Sequence, residues 1–250
     1  MTHALGRAEH PLHERRQPCR DEMMGPRLHF PALGRWKLDQ TQTAMLAGIL
    51  LLTLLVYVRC FENGFVNDER WEIVENPYLV QWSFLWKSMI RDVWWFSDPH
   101  QLPQSAYYRP IQNIWLALNF HLFGRNPIGW HVLKVLLHLW AVVLVFRIAQ
   151  LLTRSTEVGL FSALLFGLLP VNTESVVWSV GPPQAAVLEL AAFCLFIGRP
   201  QGQRRGFVRP LVLFTAAAFS HESAVIFPVL IAAYVFLFET GNGEITSAPG

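Results

Sequence analysis

The sequence predicts an all-α, polytopic membrane protein with about six transmembrane helices and an outer loop that bears interfacial amphipathic helices. Apolar residues make up 52% of the 250 residues and charged residues only 15%, and the mean hydropathy is +0.30, unlike the composition of soluble domains. The ten Trp and eighteen Phe residues are typical of aromatic belts at membrane interfaces. The apolar residues recur in separate stretches at 43–60, 132–152, 158–169, 184–198, 210–219 and 224–238.

The chain begins with a basic segment that is polar, rich in Arg and expected to be disordered. The first apolar run follows it without a charged residue between Thr43 and Val58. Basic residues accumulate on the cytoplasmic side of membrane proteins, so the N-terminus is predicted to be cytoplasmic. The predicted organisation is a cytoplasmic tail at 1–42, a membrane domain at 43–238 with an outer loop at 61–125, and a flexible C-terminal tail at 239–250.

The later apolar stretches alternate with basic segments as the positive-inside rule requires. The second stretch ends at Arg147 and Arg154, and the fourth leads into the basic loop 199–209. Thirteen of the twenty Lys and Arg residues thus fall in the N-terminal tail and the two predicted inner turns. Several stretches are shorter than the ~20 residues that a straight span needs, which indicates tilted or broken helices packed around a cavity.

The predicted outer loop contains two candidate interfacial helices. Over residues 82–96, aromatic and aliphatic residues are interleaved with Lys87, Arg91 and Asp92, a pattern typical of an amphipathic helix in the membrane interface. Apolar residues also recur at helical spacing over 111–123. A short span at this second position is the alternative, and it would invert the topology downstream.

Acidic residues are predicted to converge on the outer membrane face. Asp68 and Glu69 follow the first span, where a carboxylate can act as a catalytic base; the alternative is a pair of solvated loop acids. Glu174 and the pair His221 and Glu222 follow later helices on the same predicted face, and each of these sites can instead serve helix capping. The convergence of three acidic points on one face favours a functional site.

A cationic stripe is predicted on the second span. His131, Lys134 and His138 stand at positions i, i+3 and i+7 and therefore share one helix face. Lysine and protonated histidine are charge-assisted donors that can hold a phosphate. The alternative is that Lys134 extends to the lipid headgroups while the two histidines pack between helices.

The sequence lacks the motifs of several other enzyme classes. Cys19, Cys60 and Cys194 have no paired spacing, so neither a disulfide framework nor a zinc site is indicated. No glycine-rich phosphate loop, Ser–His–Asp order or His-Glu-x-x-His motif occurs, so nucleotide hydrolysis and zinc proteolysis have no support. No cofactor or metal is assigned, although a divalent metal stays open, and no nucleic-acid partner is expected.

A series of short motifs runs from the predicted outer loop through the second span to the segment after the third span. They are Gly-Phe-Val-Asn-Asp-Glu at 64–69, Val-Glu-Asn-Pro-Tyr-Leu at 74–79, Tyr-Tyr-Arg-Pro at 107–110, Phe-Gly-Arg-Asn-Pro-Ile-Gly-Trp-His at 123–131, Leu-Leu-His at 136–138 and Pro-Val-Asn-Thr-Glu at 170–174, followed by Trp178. In order and spacing, this series resembles the catalytic part of the transmembrane-and-tetratricopeptide-repeat O-mannosyltransferases. That family and its bacterial relatives belong to the GT-C glycosyltransferase superfamily.

The resemblance implies a multi-span hexosyltransferase that moves a sugar, mannose, from a polyprenyl-phosphate donor to a hydroxyl acceptor on the non-cytoplasmic face. It implies that Asp68, paired with Glu69, is the general base. It also implies that Arg109, the Lys134/His138 face and His221 are candidates for holding the donor phosphate. The implied partners are membrane lipids, the lipid-linked donor and a protein or glycan acceptor, and the implied location is a bacterial inner membrane or the endoplasmic reticulum.

The sequence departs from the pattern of this family at four points. Asn67 replaces an aromatic residue before the acidic pair, Leu169 replaces a His, Gly-Pro-Pro at 181–183 replaces a Gly-Arg, and His221 replaces a Lys. The loss of these cations leaves a second hypothesis open, namely a non-catalytic, truncated GT-C-like membrane scaffold or lipid-binding protein. A transporter is a third class, but no pair of interrupted helices repeats between the halves of the chain.

Overall fold

The computed structural model describes residues 38–96, 107–177, 183–199 and 204–240. The predicted disordered tail lies almost entirely outside these residues, as do residues 241–250 and Trp178. Every regular element within them is helical, so the all-α prediction is confirmed for this part of the chain. The helices are α1 (Gln40–Tyr57), α2 (Ser83–Ser88), α3 (Pro110–Phe123), α4 (Pro127–Thr153), α5 (Thr156–Leu168), α6 (Thr173–Val177), α7 (Pro183–Ile197), α8 (Val208–Ala218) and α9 (Ile226–Tyr234).

Short helical turns of other types extend or connect these helices. Tight 3₁₀ turns occur at Val58–Glu62, Pro170–Asn172, Arg204–Phe207 and Glu222–Val225, and wider π-helical turns occur at Arg70–Val74 and Val235–Thr240. The first helix begins with a reciprocal cap, in which Asp39 accepts a hydrogen bond from the amide of Gln42 and the Gln42 side chain accepts one from the amide of Asp39. This cap satisfies backbone donors that would otherwise lack partners.

Three stretches of the described chain are long and apolar enough to cross a membrane, namely Gln40–Glu62, Pro127–Thr153 and Glu222–Glu239. Helix α5 and Pro170–Val177 pass the same test together and are bent by 54° at the break between them. Helices α7 and α8 are apolar but shorter. The chain is therefore a membrane protein with three or four helices that can span by length and composition, and six spans stay a prediction.

The bend after α5 follows from Pro170. Proline has no amide proton and disfavours a helical conformation in the residue before it, and Leu169 accordingly adopts an extended backbone with ψ of 124°. The side-chain amide of Asn172 donates a hydrogen bond to the carbonyl of Phe166 at 2.6 Å. This bond satisfies one of the carbonyl groups that the broken helix leaves free.

Helix α5 approaches both α4 and α1 through a row of small residues. Gly159, Ala163 and Gly167 are the buried residues of α5, and their spacing places them on one face. A Cβ atom on Gly159 would lie 3.0 Å from the ring of Phe146, and one on Gly167 would lie 2.5 Å from Oγ1 of Thr53. Small residues at such spacing let helices pack closely in membranes, where van der Waals contact drives association.

We expect Gly167→Ala to lower the free energy of unfolding by about 1–3 kcal/mol, because the added methyl group must displace the Thr53 side chain. Thr53→Ala in the same chain should recover part of the loss. Thermal unfolding of the purified protein in detergent measures both effects. Gly48→Ala is the matched control, since a Cβ on Gly48 meets nothing within 4 Å. Equal stabilities for Gly167→Ala and Gly48→Ala would contradict the packing argument.

The loop segment 58–96 packs as a layer on α3 and the first turns of α4. Its shared core contains Ile73, Leu79, Phe84, Leu116, Ala117 and Trp130.

The helix predicted over 111–123 is present as α3, whereas that predicted over 82–96 is confined to α2. The chain turns back after α2 because Trp95 and Phe96 pack on Phe84, with ring centroids 5.6 and 6.2 Å away. Trp82, Trp86 and Ile90 form an exposed apolar row.

Candidate functional site

The acidic pair lies in a tight turn that leads into Arg70–Val74. Asn67 adopts a left-handed backbone with φ of 49°, which a short polar residue tolerates and a bulky aromatic residue does not. The amide of Glu69 donates to the carbonyl of Val66 at 3.1 Å, and the amide of Val66 donates to Oε2 of Glu69 at 2.6 Å. This reciprocal contact fixes the turn and explains why Asn precedes the pair.

Glu69 and the first half of the cationic stripe are buried against one another. Glu69 is 0% exposed, and His131 and Lys134 are each 1% exposed. The carboxylate of Glu69 interacts electrostatically with both of these residues of α4. Glu69 is therefore no solvated loop acid, and Lys134 does not extend to the headgroups. Asp68, in contrast, is only half-buried.

Glu72 belongs to the same cluster, although it is not among the site residues predicted from the sequence. It is buried, and its Oε2 has no hydrogen-bond partner among the described residues. Burial raises the pKa of Glu72 to about 8; repulsion by Asp68 and Glu69 adds to this effect, while Arg109 and Lys134 oppose it. Glu72 is thus protonated at neutral pH. Glu72 follows Asp68 by four residues and Glu69 by three, the spacing of neighbours on a helix surface. This spacing is the feature of the sequence that could have indicated Glu72.

The raised pKa of Glu72 predicts a stability that falls as pH rises. The folded protein keeps a proton on Glu72 that the unfolded chain releases above the ordinary pKa of 4.5, so the free energy of unfolding decreases between about pH 4.5 and about pH 8. Glu72→Gln imitates the protonated carboxyl group and should remove this dependence. Thermal unfolding of both proteins across this range should show a difference that grows with pH, and a constant difference would refute the assignment.

Arg109 and Glu222 form a bidentate ion pair. The Nε of Arg109 donates to Oε2 of Glu222 at 2.8 Å, and its Nη2 donates to Oε1. The amide of Ile111 donates to the carbonyl of Phe219 at 3.1 Å, which holds the start of α3 against the end of α8. Two candidate site residues that are distant in sequence are thus in direct contact, and their role in binding stays a prediction.

His221 lies beside this pair as a neutral ring. Its Nδ1 accepts a hydrogen bond from the amide of Ser223 at 3.2 Å, and its Nε2 is 3.7 Å from Oε1 of Glu222. Burial and the positive charge of Arg109 lower the pKa of His221 below its ordinary value of 6.5, and Glu222 opposes them. The structure therefore favours a neutral hydrogen-bonding group at this position over a phosphate-binding cation.

His138 and Glu174 have surroundings different from those of the other candidates. The Nε2 of His138 lies 3.3 Å from the carbonyl oxygen of Gly167, and its ring packs on Tyr57 and Phe166 with centroid distances of 5.0 and 5.5 Å. His138 therefore packs between helices, as the alternative interpretation stated. Glu174 is exposed and forms no ion pair within the described part of the chain. Substrate-binding roles for these two residues stay predictions.

A cavity of about 270 Å³ lies next to His138, between α4, α5, α6, α7 and α9. Its walls are mostly apolar, with Phe166, Phe193 and Leu230 among them, and Glu189 of α7 is an acidic residue in its lining. Across the described ranges, no group of three or more His, Cys, Asp or Glu residues could hold a metal ion.

Comparisons with known proteins agree with the motif series. The human protein O-mannosyl-transferase TMTC1 is 31% identical over 153 residues, which are 61% of this chain and 17% of the relative. This chain is a homologue of protein O-mannosyl-transferases. Among these O-mannosyl-transferases, Tmtc1 of Drosophila melanogaster is 28% identical over 206 residues, 81% of this chain and 24% of the relative. Mouse TMTC3 is 29% identical over 150 residues, which are 57% of this chain and 16% of the relative.

The resemblance to the GT-C O-mannosyl-transferases is thereby confirmed. The matched region spans only 16 to 24% of the length of these three relatives. No family model matches the chain. No solved structure matches it either.

Proposed function

We propose that this protein is a hexosyltransferase that moves mannose from a polyprenyl-phosphate donor to a hydroxyl group of a protein or glycan acceptor. The reaction takes place on the non-cytoplasmic face of the membrane. The observation that carries the proposal is the cluster of carboxylates and cations near the N-terminal end of α4, in a homologue of proteins named O-mannosyl-transferases. The cluster consists of Asp68, Glu69, Glu72, Arg109 and Lys134.

Asp68 takes the role of general base in this proposal. It is the member of the acidic pair that is partly accessible, whereas Glu69 is buried, accepts the amide of Val66 and interacts electrostatically with Lys134. As the acceptor hydroxyl attacks the anomeric carbon of the sugar, Asp68 accepts its proton, and the donor phosphate departs with the electrons of the broken bond. Because Glu72 is protonated at neutral pH, it adds no further negative charge near Asp68.

The two cations that would hold the donor phosphate already have partners. Arg109 gives two donors to Glu222, and Lys134 interacts with Glu69 and Glu72. The guanidinium fork binds carboxylate and phosphate with the same bidentate geometry, so the phosphate would replace Glu222 on Arg109. The same pairing supports the second candidate function, a membrane scaffold or lipid-binding protein without catalysis, because a paired arginine is less available to a ligand.

Sugar transfer by the purified chain separates the two candidates. The full chain in lipid nanodiscs would receive a mannosyl-phosphoryl polyprenol and a Ser/Thr-containing peptide, with the mannosylated peptide measured by mass spectrometry. Transfer that the purified wild-type protein performs and Asp68→Asn does not would support the proposal. Binding of the polyprenyl phosphate without transfer would support the scaffold and contradict the enzyme.

The proposed orientation has its own test. The Arg-rich tail and the basic loop 199–209 are expected on the cytoplasmic side, and residues 61–125 on the opposite side, because positive charge stays inside. In a background without the three native cysteines, a membrane-impermeant thiol reagent should label Ser105→Cys from outside and Gln203→Cys only after permeabilisation. Labelling of both positions from the same side would rule out the six-span topology.

A further inference from the structure

An apolar groove of about 390 Å³ lies between α3, α4, α7 and α8, and we call it the α3–α7 groove. Helix α3 lines it with Ile111, Ile114 and Leu118, and α7 lines it with Gln184 and Ala191, among others. Spacings of three, four and seven residues place each set on one face of its helix. Among the described residues that line the groove, none is charged and none belongs to the cluster of carboxylates and cations. The groove is therefore separate from the site of the proposed function.

The rim of the α3–α7 groove faces the surroundings of the protein. Leu118 and Trp140 line the groove and are 46% and 56% exposed. Trp140 lies near the middle of α4, one of the helices that can cross a membrane by length and composition. An exposed apolar side chain at that depth contacts lipid, because the core of a bilayer holds no water. A lipid molecule can therefore enter the groove from the side.

Gln184 places a single unpartnered polar atom in the lining of this groove. It is 5% exposed, and its Nε2 donates a hydrogen bond to Oε1 of Gln112 on α3. The Oε1 of Gln184 is buried and has no hydrogen-bond partner among the described residues. Turning both carboxamides over would reverse the bond and leave the nitrogen of Gln184 unpartnered instead. In either arrangement, one polar atom of a buried side chain lacks a partner, which costs free energy.

These features select the chemical class of the ligand. A hydroxyl group satisfies Gln184 in either arrangement, because it both donates and accepts. A water molecule is a poor substitute, since a buried water needs several polar partners and the other described lining residues are aliphatic or aromatic. A charged headgroup would find no opposite charge there, and a plain hydrocarbon chain would leave Gln184 unpartnered. The matching ligand is an uncharged lipid with one hydroxyl group on an apolar body, which is the chemistry of a sterol.

We propose that the α3–α7 groove binds a membrane sterol, whose hydroxyl group bonds to Gln184 and whose ring system extends toward Ala191. Gln184 lies in the first turn of α7, at the end of an apolar helix, where the hydroxyl group of a sterol meets the polar surface of the membrane. Ala191 lies about 10 Å farther along the helix, at about 1.5 Å per residue. Sterol binding does not depend on the proposed sugar transfer, because no residue of the cluster takes part.

Photolabelling with a sterol tests this site. The full chain in phosphatidylcholine nanodiscs would receive a diazirine derivative of cholesterol that keeps the hydroxyl group, and mass spectrometry would identify the labelled peptides. We expect saturable labelling of α3 and α7. Unlabelled cholesterol should compete about threefold to tenfold better than cholest-5-ene, the same skeleton without oxygen, because this is what one hydrogen bond contributes to an equilibrium.

Gln184→Met should abolish this preference for cholesterol, because the variant keeps the length of the side chain and loses the polar atoms. Comparing the two proteins cancels any difference in how the two competitors distribute in the bilayer. Ala191→Phe should remove most of the saturable labelling, because its ring would fill part of the groove. Ala47→Phe is the matched control, since Ala47 is exposed on α1 and does not line the groove.

Three results would overturn the proposal. They are equal competition by cholesterol and cholest-5-ene in the wild type, unchanged labelling of folded Ala191→Phe, and stronger competition by a polyprenyl phosphate than by cholesterol. The last result would assign the groove to the hydrocarbon chain of the sugar donor. If a variant does not fold, the wild-type preference between the two competitors decides. Absent sugar transfer would refute only the proposed function, because labelling does not depend on it.

Discussion

Asp68→Asn is expected to remove most sugar transfer, by about a hundredfold to ten-thousandfold, because this is what a positioned general base contributes. The amide keeps the size of the carboxylate but cannot accept the proton of the acceptor hydroxyl. The fold should persist, since the bond that fixes this turn belongs to the neighbouring residue Glu69. The rate is measured with purified protein, a mannosyl-phosphoryl polyprenol and a peptide acceptor under single-turnover conditions.

Two other acidic residues serve as comparisons for this result. Glu69→Gln should cost less activity, because its oxygen can still accept the amide of Val66. Glu75→Gln should cost nothing measurable, because Glu75 is exposed and its partner is Arg70 at 3.4 Å. If Asp68→Asn transfers sugar at the wild-type rate, Asp68 is not the base.

Lys134→Met is expected to lower the free energy of unfolding by about 3–5 kcal/mol, because it would leave the buried carboxylate of Glu69 without the cation with which it interacts. Lys134 is 1% exposed and interacts with Glu69, which is 0% exposed. Because a methionine side chain is similar to lysine in length and fills the same space, the loss of stability would result from the removed charge and not from a change in volume. Thermal unfolding in detergent, with a denaturant series as a check, measures the change.

Removing the opposing charge should restore stability. Adding Glu69→Gln to Lys134→Met takes away the buried carboxylate while keeping the acceptor for Val66, so the double variant should be more stable than Lys134→Met alone. Lys87→Met is the control, because Lys87 lies over the rings of Tyr78 and Trp95 at 5.4 and 5.7 Å, outside the cluster, and should cost about 1 kcal/mol or less. Similar losses for Lys134→Met and Lys87→Met would argue against a buried ion pair.

Apolar stretches were sufficient to predict most of the membrane part of the fold. The runs at 43–60 and 132–152 correspond to α1 and α4, and helical spacing over 111–123 corresponds to α3, because such patterns reflect the face that each helix buries. The course of the chain after α2 could not be predicted, since it depends on rings that meet only after folding. Helices α7 and α8 are apolar but shorter than a straight span requires. The predicted number of six spans is therefore not confirmed.

The candidate site was predictable in its residue types and less so in its contacts. Asp68 and Glu69 could be selected as site residues because ionisable groups at a membrane span cost free energy, and such groups usually indicate a functional site. Whether Lys134 was buried depended on the layer that covers it, and that layer was not evident from α4 alone. The neutral state of His221 depends on its burial and on the nearby charge of Arg109, and neither of these is evident from the sequence.

The burial of Glu69 has a consequence for how its motif is compared between proteins. Two adjacent carboxylates differ by one methylene group, and the longer one reaches the amide of Val66 and the lysine on the neighbouring helix. The shorter one remains partly open to the surroundings. Under the proposed function, Asp68 would therefore serve the reaction, whereas Glu69 serves the packing of the turn against α4. A relative with Glu-Asp in this place would keep the composition and the net charge of the motif, but its shorter second side chain would lose the contacts that Glu69 makes.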